Sequence, residues 1–363
     1  MRVGVLFPLS GSGAAWGRDC ADGVLTALEL RPDRDALESH VADATDPAAA
    51  ARLVGRDRTS LVFGTLFTAL ALDASQAVAS RGAAYAEVAA VADELGARGL
   101  TRFIRTCPRA SAFGARAVDF AIDVLGGRRL AVVHEDSGFG RSLGTAIGAR
   151  ARTRGLEPVA SLAPAPGTED FGPVIEALAA GRADVLLAAS YTEFSRRLWR
   201  ALRSTRGGID ALIGVGGGWL HLGEDADLDP SGIYAVDVAP AEALAGAGLF
   251  PETRLRRDEY RRAYRERAGR DASVYSDLGF AGADLLLGAF IGADGDPDRF
   301  VARAGDVDVA PGGTILGYGA RFDAAGENER AAPVVMQHRA GALPVVHPPD
   351  LATERPDSRA LLA

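Results

Sequence analysis

Short apolar runs that do not alternate with polar residues recur along this chain, and each leads through a turn into a helical pattern. Val3–Phe7, Leu61–Gly64, Ala83–Glu87 and Arg102–Thr106 are of this kind, with helical stretches near Trp16–Leu28 and Ala69–Ser80 between them. A strand apolar on both faces is buried on both faces, so it belongs to a parallel sheet with helices on either side. After Cys107-Pro108 the pattern starts again. Helices at Ala110–Leu125, Gly140–Arg154, Phe171–Ala180 and Glu193–Leu202 interleave with strands at Leu130–His134, Pro158–Leu162, Asp184–Ala189 and Ala211–Val215. Two such series predict an α/β protein of two doubly wound, Rossmann-like lobes.

The last third departs from this rhythm. It reads as two helices, near Leu255–Arg267 and Asp277–Ile291, followed by short strands at Ile315–Tyr318 and Pro333–His338. These elements are expected to complete the two earlier lobes. A chain of 363 residues is too long for one ordinary core and suits two. The predicted lobes are residues 1–108 with 238–312 and residues 109–237 with 313–363, joined by three hinge crossings near Pro108, Asp237 and Gly313. The proline-rich end, with Pro344, Pro348, Pro349 and Pro356, reads as a surface strap.

Composition removes several classes of function. The chain has no lysine, and all 40 of its Lys and Arg positions are arginine. That excludes the phosphate-loop lysine, a Schiff-base lysine and the Ser-x-x-Lys nucleophile together. A formal charge of −8 disfavours a nucleic-acid partner. The five histidines are scattered singly and the two cysteines, Cys20 and Cys107, lie far apart, so no metal site is expected. The cysteines read as separate thiols, although a disulfide is conceivable in an exported protein. No stretch of about eighteen apolar residues is present, so no membrane insertion is expected. Met1 stands almost directly against the first strand without a basic leader region. The expectation is a periplasmic or cell-surface lipoprotein whose signal has been removed, or a cytoplasmic protein if Met1 is the native start.

In open α/β sheets ligands sit beyond the carboxyl ends of the strands. The loops there hold small and hydroxylated residues and a few aromatics, with no Ser/His/Asp grouping, so they suit recognition and no catalytic residue is predicted. One alternative is a nicotinamide oxidoreductase. Gly11-Ser12-Gly13 with Gly17 follows the first strand, and Asp43 lies near the end of the second, where a dinucleotide fingerprint would place them. The spacing is one residue too long, however, and Gly138-Phe139-Gly140 with Gly144 repeats the pattern in the second series. Tight strand-to-helix turns explain both, and no cofactor is expected.

The order of motifs resembles the type I periplasmic binding proteins of the branched-chain amino acid (leucine/isoleucine/valine) group, nearly end to end. Val3–Leu9 with Ser10-Gly11 and Trp16-Gly17 is similar to that family's opening strand and loop. Phe63-Gly64-Thr65-Leu66-Phe67-Thr68 is similar to its carboxylate loop, and Phe103-Ile104-Arg105-Thr106 to the strand before its first hinge. His134-Glu135-Asp136-Ser137-Gly138-Phe139-Gly140 and Val346–Thr353 are similar to later family segments. The resemblance implies that Thr68, on the loop carrying Leu66 and Phe67, holds a ligand carboxylate with the amides around Ala89 and Val91. It implies that Trp16, Phe139 and Tyr191 wall the pocket, and it places Gly216 and Gly217 on a ligand loop after Ala211–Val215. Members binding α-amino acids carry an acid at the position of Gly216. The ligand is therefore expected either to lack an ammonium or to use Glu87, Asp237 or Asp277.

The function implied is the solute-binding component of an ABC-type uptake system. It would be a monomer that closes its lobes on an amino acid or related carboxylate and docks on a permease. A cytoplasmic regulator of the amide-binding type on the same fold is the alternative.

Overall fold

The computed structural model describes residues 1–204, 209–244 and 248–357. The chain forms two compact units, residues 1–108 with 240–331 and residues 109–239 with 332–363, and passes between them three times. The third passage follows Ala331, later than the expected position near Gly313. The reason is a set of bonds that keep the intervening segment in the first unit. Arg105 meets Glu327 through Nε and Nη2 at 2.8 and 2.6 Å, the Arg105 amide donates to Gly326 O at 2.7 Å, and Asn328 Nδ2 donates to the Thr106 and Gly319 carbonyls at 3.1 Å each.

In chain order the first unit begins β1 (Arg2–Phe7), α1 (Ala14–Glu29), β2 (Glu38–Asp43), α2 (Ala49–Gly55), β3 (Leu61–Gly64), α3 (Thr68–Ala79), β4 (Ala84–Glu87), α4 (Glu94–Ala97) and β5 (Phe103–Arg105). The second unit takes up α5 (Ala110–Asp119), β6 (Leu130–His134), α6 (Gly138–Thr153), β7 (Ala160–Leu162), α7 (Gly172–Gly181), β8 (Val185–Ala189), α8 (Thr192–Ser204), β9 (Ala211–Val215) and β10 (Tyr234–Asp237). The first unit is completed by α9 (Pro251–Ala268), α10 (Val274–Gly292), α11 (Pro297–Gly305), β11 (Asp308–Val309) and β12 (Ala320–Arg321). The second is completed by β13 (Val334–Gln337) and β14 (Val345–His347). Ile315–Tyr318, expected as a strand, is a buried turn. Gly317 adopts φ +82 there, its amide donates to Thr314 O at 3.0 Å, and Thr314 Oγ1 donates to Tyr318 O at 2.5 Å.

The first unit carries a parallel five-stranded sheet in the order β2-β1-β3-β4-β5. Its core joins Leu6, Leu53, Val62, Val78, Tyr85 and Phe103. Helix α10 is apolar enough by composition to cross a membrane, but it is mostly buried against its own unit. A capping box between Ser273 and Ser276 starts it. In the second unit a seven-stranded sheet runs β14-β13-β10-β9-β8-β6-β7, parallel from β7 to β10 and antiparallel beyond. Its core includes Val133, Leu186, Leu198, Trp199, Leu212 and Trp219. Renumbered within each unit, the parallel strands follow the same order, 2-1-3-4-5. The order reverses between β1 and β3 in one unit and between β6 and β8 in the other, and a crevice opens outside such a reversal.

Candidate functional site

At the strand ends of the first unit the loops after β1, β3 and β4 converge. Asp43, at the end of β2, accepts from the Leu9 amide at 2.9 Å and from the Thr45 amide and hydroxyl at 3.0 and 2.9 Å. Partial burial opposes ionisation of this carboxyl, but these bonds outweigh it and hold its pKa down at about 2. The glycines beside it are packing devices. A Cβ at Gly17 would lie 1.8 Å from the Pro8 carbonyl, and one at Gly13 would lie 2.2 Å from the Phe67 ring. The supposed ribose acid and fingerprint glycines of a nucleotide site are thus committed to shaping this loop.

Glu87 is fully buried at the end of β4. Its Oε2 accepts from the Thr65 amide at 2.8 Å and the Tyr85 hydroxyl at 2.9 Å, and its Oε1 from the amides of Val88, Ala89 and Ala90 at 3.1, 2.9 and 2.8 Å. Burial pushes this carboxyl up and the five donors oppose that push. One side chain therefore pins the loop after β3 to the loop after β4. Above it, Thr68 begins α3, and its side-chain Oγ1 is buried without a hydrogen-bond partner. Half-buried aromatics cluster at Phe67, the residue before it. Trp16 meets Phe67 edge-on, with ring centroids 6.4 Å apart, and lies 5.6 Å from Tyr275.

The corresponding edge of the second unit is built differently. Ser137 caps α6 by accepting from the Gly140 amide at 3.1 Å, and this sets Phe139 on the first turn. Phe139 stacks on Tyr191 with centroids 4.6 Å apart and planes 19° apart. Glu135 at the end of β6 accepts from the Tyr191 amide at 3.0 Å, and burial raises its pKa against that bond. Gly216, after β9, has φ +93 and ψ 167, a backbone region essentially confined to glycine. A Cβ there would lie 2.5 Å from Cζ of Phe139. Gly217 opens a short 3-10 segment, Gly217–Glu224. Asp237, at the end of β10, accepts from the Val238 amide at 2.6 Å, and burial pushes its carboxyl up to about 7.

With this geometry in view, the sequence profile of the periplasmic binding protein family matches residues 1–337. The chain belongs to that family. Among relatives of this periplasmic binding protein, the Leu/Ile/Val-binding protein homolog 7 of Brucella abortus is 29% identical over 371 residues, covering 96% of this chain and 91% of the relative. Homolog 8 of the same organism is 28% identical over 379 residues, covering 97% and 91%. A leucine-binding protein of Thermotoga maritima shares the fold with a TM-score of 0.80 at 18% identity, covering 95% of this chain and 97% of that one. A solute-binding protein of R. palustris in complex with 4-hydroxybenzoate has a TM-score of 0.78 at 16% identity, covering 98% and 97%.

In this periplasmic binding protein Leu66, Phe67, Ala89 and Val91 lie on the converging loops of the first unit, with Trp16 on the first turn of α1 and Thr68 at the start of α3. In the second unit Phe139 lies on the first turn of α6, Tyr191 and Gly216 on strand-end loops, and Gly217 at the start of its 3-10 segment. One expected role changes. The Ala89 amide points at Glu87, so it is committed inside the protein. The three acids suggested as ammonium partners fare unequally. Glu87 is saturated, and Asp277 is buried in α10 with the Ala241 amide on Oδ2 at 2.8 Å. Asp277 Oδ1 has no partner, and Asp237 at the end of β10 has one backbone donor, so both keep spare capacity. Sequence reasoning missed Tyr275 altogether. Its only signal was its place one residue before the second serine of the capping box. A groove of about 530 Å³ lined by Arg256, Phe280, Asp284 and Thr314 also lies in the first unit, but Arg256 there is already paired with Asp284 and Glu259. Among the described residues no cluster of His, Cys, Asp and Glu could hold a metal ion. Cys20 and Cys107 are both buried and free.

Proposed function

We propose that this protein is the solute-binding component of an ABC-type uptake system, working outside the cytoplasm as a monomer that delivers a small carboxylate to a permease. The observation that carries the reading is Thr68. A buried hydroxyl without a partner costs about 1–3 kcal/mol, a cost that a fold sheds unless something else completes the bond. Here the hydroxyl stands at the start of α3, where free backbone amides and the helix dipole favour an anion. A carboxylate would accept from the Thr68 hydroxyl and from the first amides of α3, while Trp16, Phe67 and Tyr275 cover the apolar part of the solute. No bond is made or broken, so the residues need only bind and orient. Glu87 acts as a positioning residue, because it fixes the loops on which Thr68 and its neighbours stand. The three chain passages between units suit a hinge.

A thermal-shift screen of amino acids, 2-oxo acids, aromatic acids and amides tests the proposal. A solute at about 100 times its Kd stabilises the folded state by about 2.7 kcal/mol, which is read directly as a rise in Tm. Carboxylates should raise Tm and their amides should not. Thr68→Val should remove most of the shift. A screen in which no carboxylate raises Tm would overturn the reading.

A further inference from the structure

We infer that the groove between α9 and α10 of the first unit is a second binding site, one that takes a small organic amine with an apolar body. It shares no residue with the strand-end loops, and it stands or falls independently of the carboxylate reading. Its volume of about 530 Å³ is that of a small-molecule pocket.

Three pieces of the first unit shape the groove: the first two turns of α9, the middle of α10, and the chain around Val307–Ile315. Pro251 opens α9, where its fixed φ suits a first helical position. Glu252, Thr253 and Arg256 follow at spacings of three and four residues, so they share the face that lines the groove. Phe280, Leu285, Val309 and Ile315 supply apolar wall. Phe250, 41% exposed, extends that wall at the rim, where a Cβ on Gly313 would lie 3.8 Å from its ring.

Two observations give the chemistry. The first is Thr253, which is 5% exposed and lines the groove, while its hydroxyl has no partner among the described residues. A buried hydroxyl is costly unless something completes its bond. The second is the charge balance. Arg256 gives Nη1 to Glu259 at 2.7 Å and Nη2 to Asp284 Oδ1 at 2.6 Å, and Asp308 Oδ1 pairs with Arg330. Glu252 pairs with no arginine among the described residues, and Asp284 and Asp308 each keep a second oxygen open. Four carboxylates, Glu252, Glu259, Asp284 and Asp308, thus meet two guanidiniums, an excess of two negative charges. The neighbouring arginines are committed elsewhere: Arg31 to Asp33 at 2.8 Å, and Arg254 to the Leu249 carbonyl at 3.1 Å. The groove therefore offers acceptors and lacks donors. An ammonium brings three donors and no acceptor, and it would bond the Thr253 hydroxyl and the open carboxylate oxygens. The apolar wall takes the body attached to it.

Calorimetry on the full chain at neutral pH with three probes tests the inference. 2-Phenylethylamine carries both parts, 2-phenylethanol keeps the body with a hydroxyl in place of the ammonium, and ethylamine keeps the ammonium with almost no body. The expected result is that 2-phenylethylamine binds at least about tenfold more tightly than either of the others. Thr253→Val keeps the volume and should weaken the amine by about tenfold. Glu252→Gln should weaken it about threefold, and this exposed position keeps the test open if Thr253→Val fails to fold. Equal binding of 2-phenylethanol removes the role of charge and overturns the inference. Equal binding of ethylamine removes the apolar body and overturns it too. Amine binding that is unchanged in both variants places the amine elsewhere on the protein, and no binding by any of the three probes leaves the groove without a ligand of this class. Either result overturns the inference.

Discussion

The two units share a strand order and differ in what they place at the ends of those strands. In the first, buried charge does the organising. Glu87 gathers five donors from two loops, Asp43 holds a third loop, and Arg105 and Glu327 lock the returning chain against β5. In the second, the same place is filled by an aromatic pair and by a glycine that no other residue can replace without strain. A shared topology sets where a crevice forms and leaves its chemistry open. Rigid hydrogen-bonded loops suit the recognition of a polar group at fixed distance, whereas a stacked aromatic pair offers apolar surface.

The largest effect should come from the charged unit. Glu327→Ala strands Arg105 without its carboxylate in a fully buried site and should destabilise the protein by about 3–5 kcal/mol in urea unfolding. Replacing both residues with apolar ones of similar volume should recover most of that loss. A single substitution costing under about 1 kcal/mol would break the contrast between the units. Next comes the aromatic unit. Gly216→Ala should cost about 1–3 kcal/mol, because the backbone must leave its glycine-only region or carry strain. The same measurement on Phe139→Ala/Gly216→Ala should show part of the loss relieved, since the ring contact has gone. An unchanged loss would assign all of it to the backbone.

The pH dependence of stability should carry opposite signs from the two edges. Asp237 in the second unit has its folded pKa raised from 3.8 to about 7 by burial. It binds more protons folded than unfolded, so its contribution is full below the unfolded value and is lost as pH rises toward 7. Asp237→Asn should flatten that fall, worth about 1–2 kcal/mol once solvent screening at this half-buried site is allowed for. Asp43 in the first unit is held at about 2, against 3.8 unfolded. Its contribution is present above pH 4 and is lost as pH falls toward 2, and Asp43→Asn should remove about 1 kcal/mol of stability at neutral pH after the same allowance. Matching signs in the two titrations would undo the comparison.

The smallest effect is the most telling for function. Thr68→Val removes a buried hydroxyl that lacks a partner and keeps the volume, so the solute-free protein should gain about 1 kcal/mol. The same variant should bind carboxylates more weakly. A Thr68→Val protein that is both less stable and still competent to bind would mark Thr68 as an ordinary helix start.

Much of this architecture was legible in advance. Unalternating apolar runs such as Leu61–Gly64 and Val185–Ala189 can be satisfied only in a sheet covered on both faces, and each folds as a strand buried at every position. The misreadings share a cause. Ile315–Tyr318 is as apolar as a strand, but Gly317 at φ +82 turns it back on Thr314. Tyr234–Asp237 mixes a tyrosine and an aspartate with only two aliphatic residues, and it becomes a strand because β9 and β13 flank it. Pattern reports burial well and reports the partner poorly.

The site divides along the same line. Local sequence settled which loops meet at the strand ends and which residues they carry, because strand polarity and turn chemistry depend on near neighbours. It could not settle what each polar group already holds. Glu87 read as a spare acid and is the most heavily engaged side chain of its edge, and the Ala89 amide read as a ligand donor and serves Glu87. Gly216 read as a missing acid, and only the approach of Phe139 from another loop shows why nothing larger stands there. Hydrogen-bond saturation and steric exclusion arise between segments far apart in the chain, so they become fixed only when the tertiary structure brings those segments together.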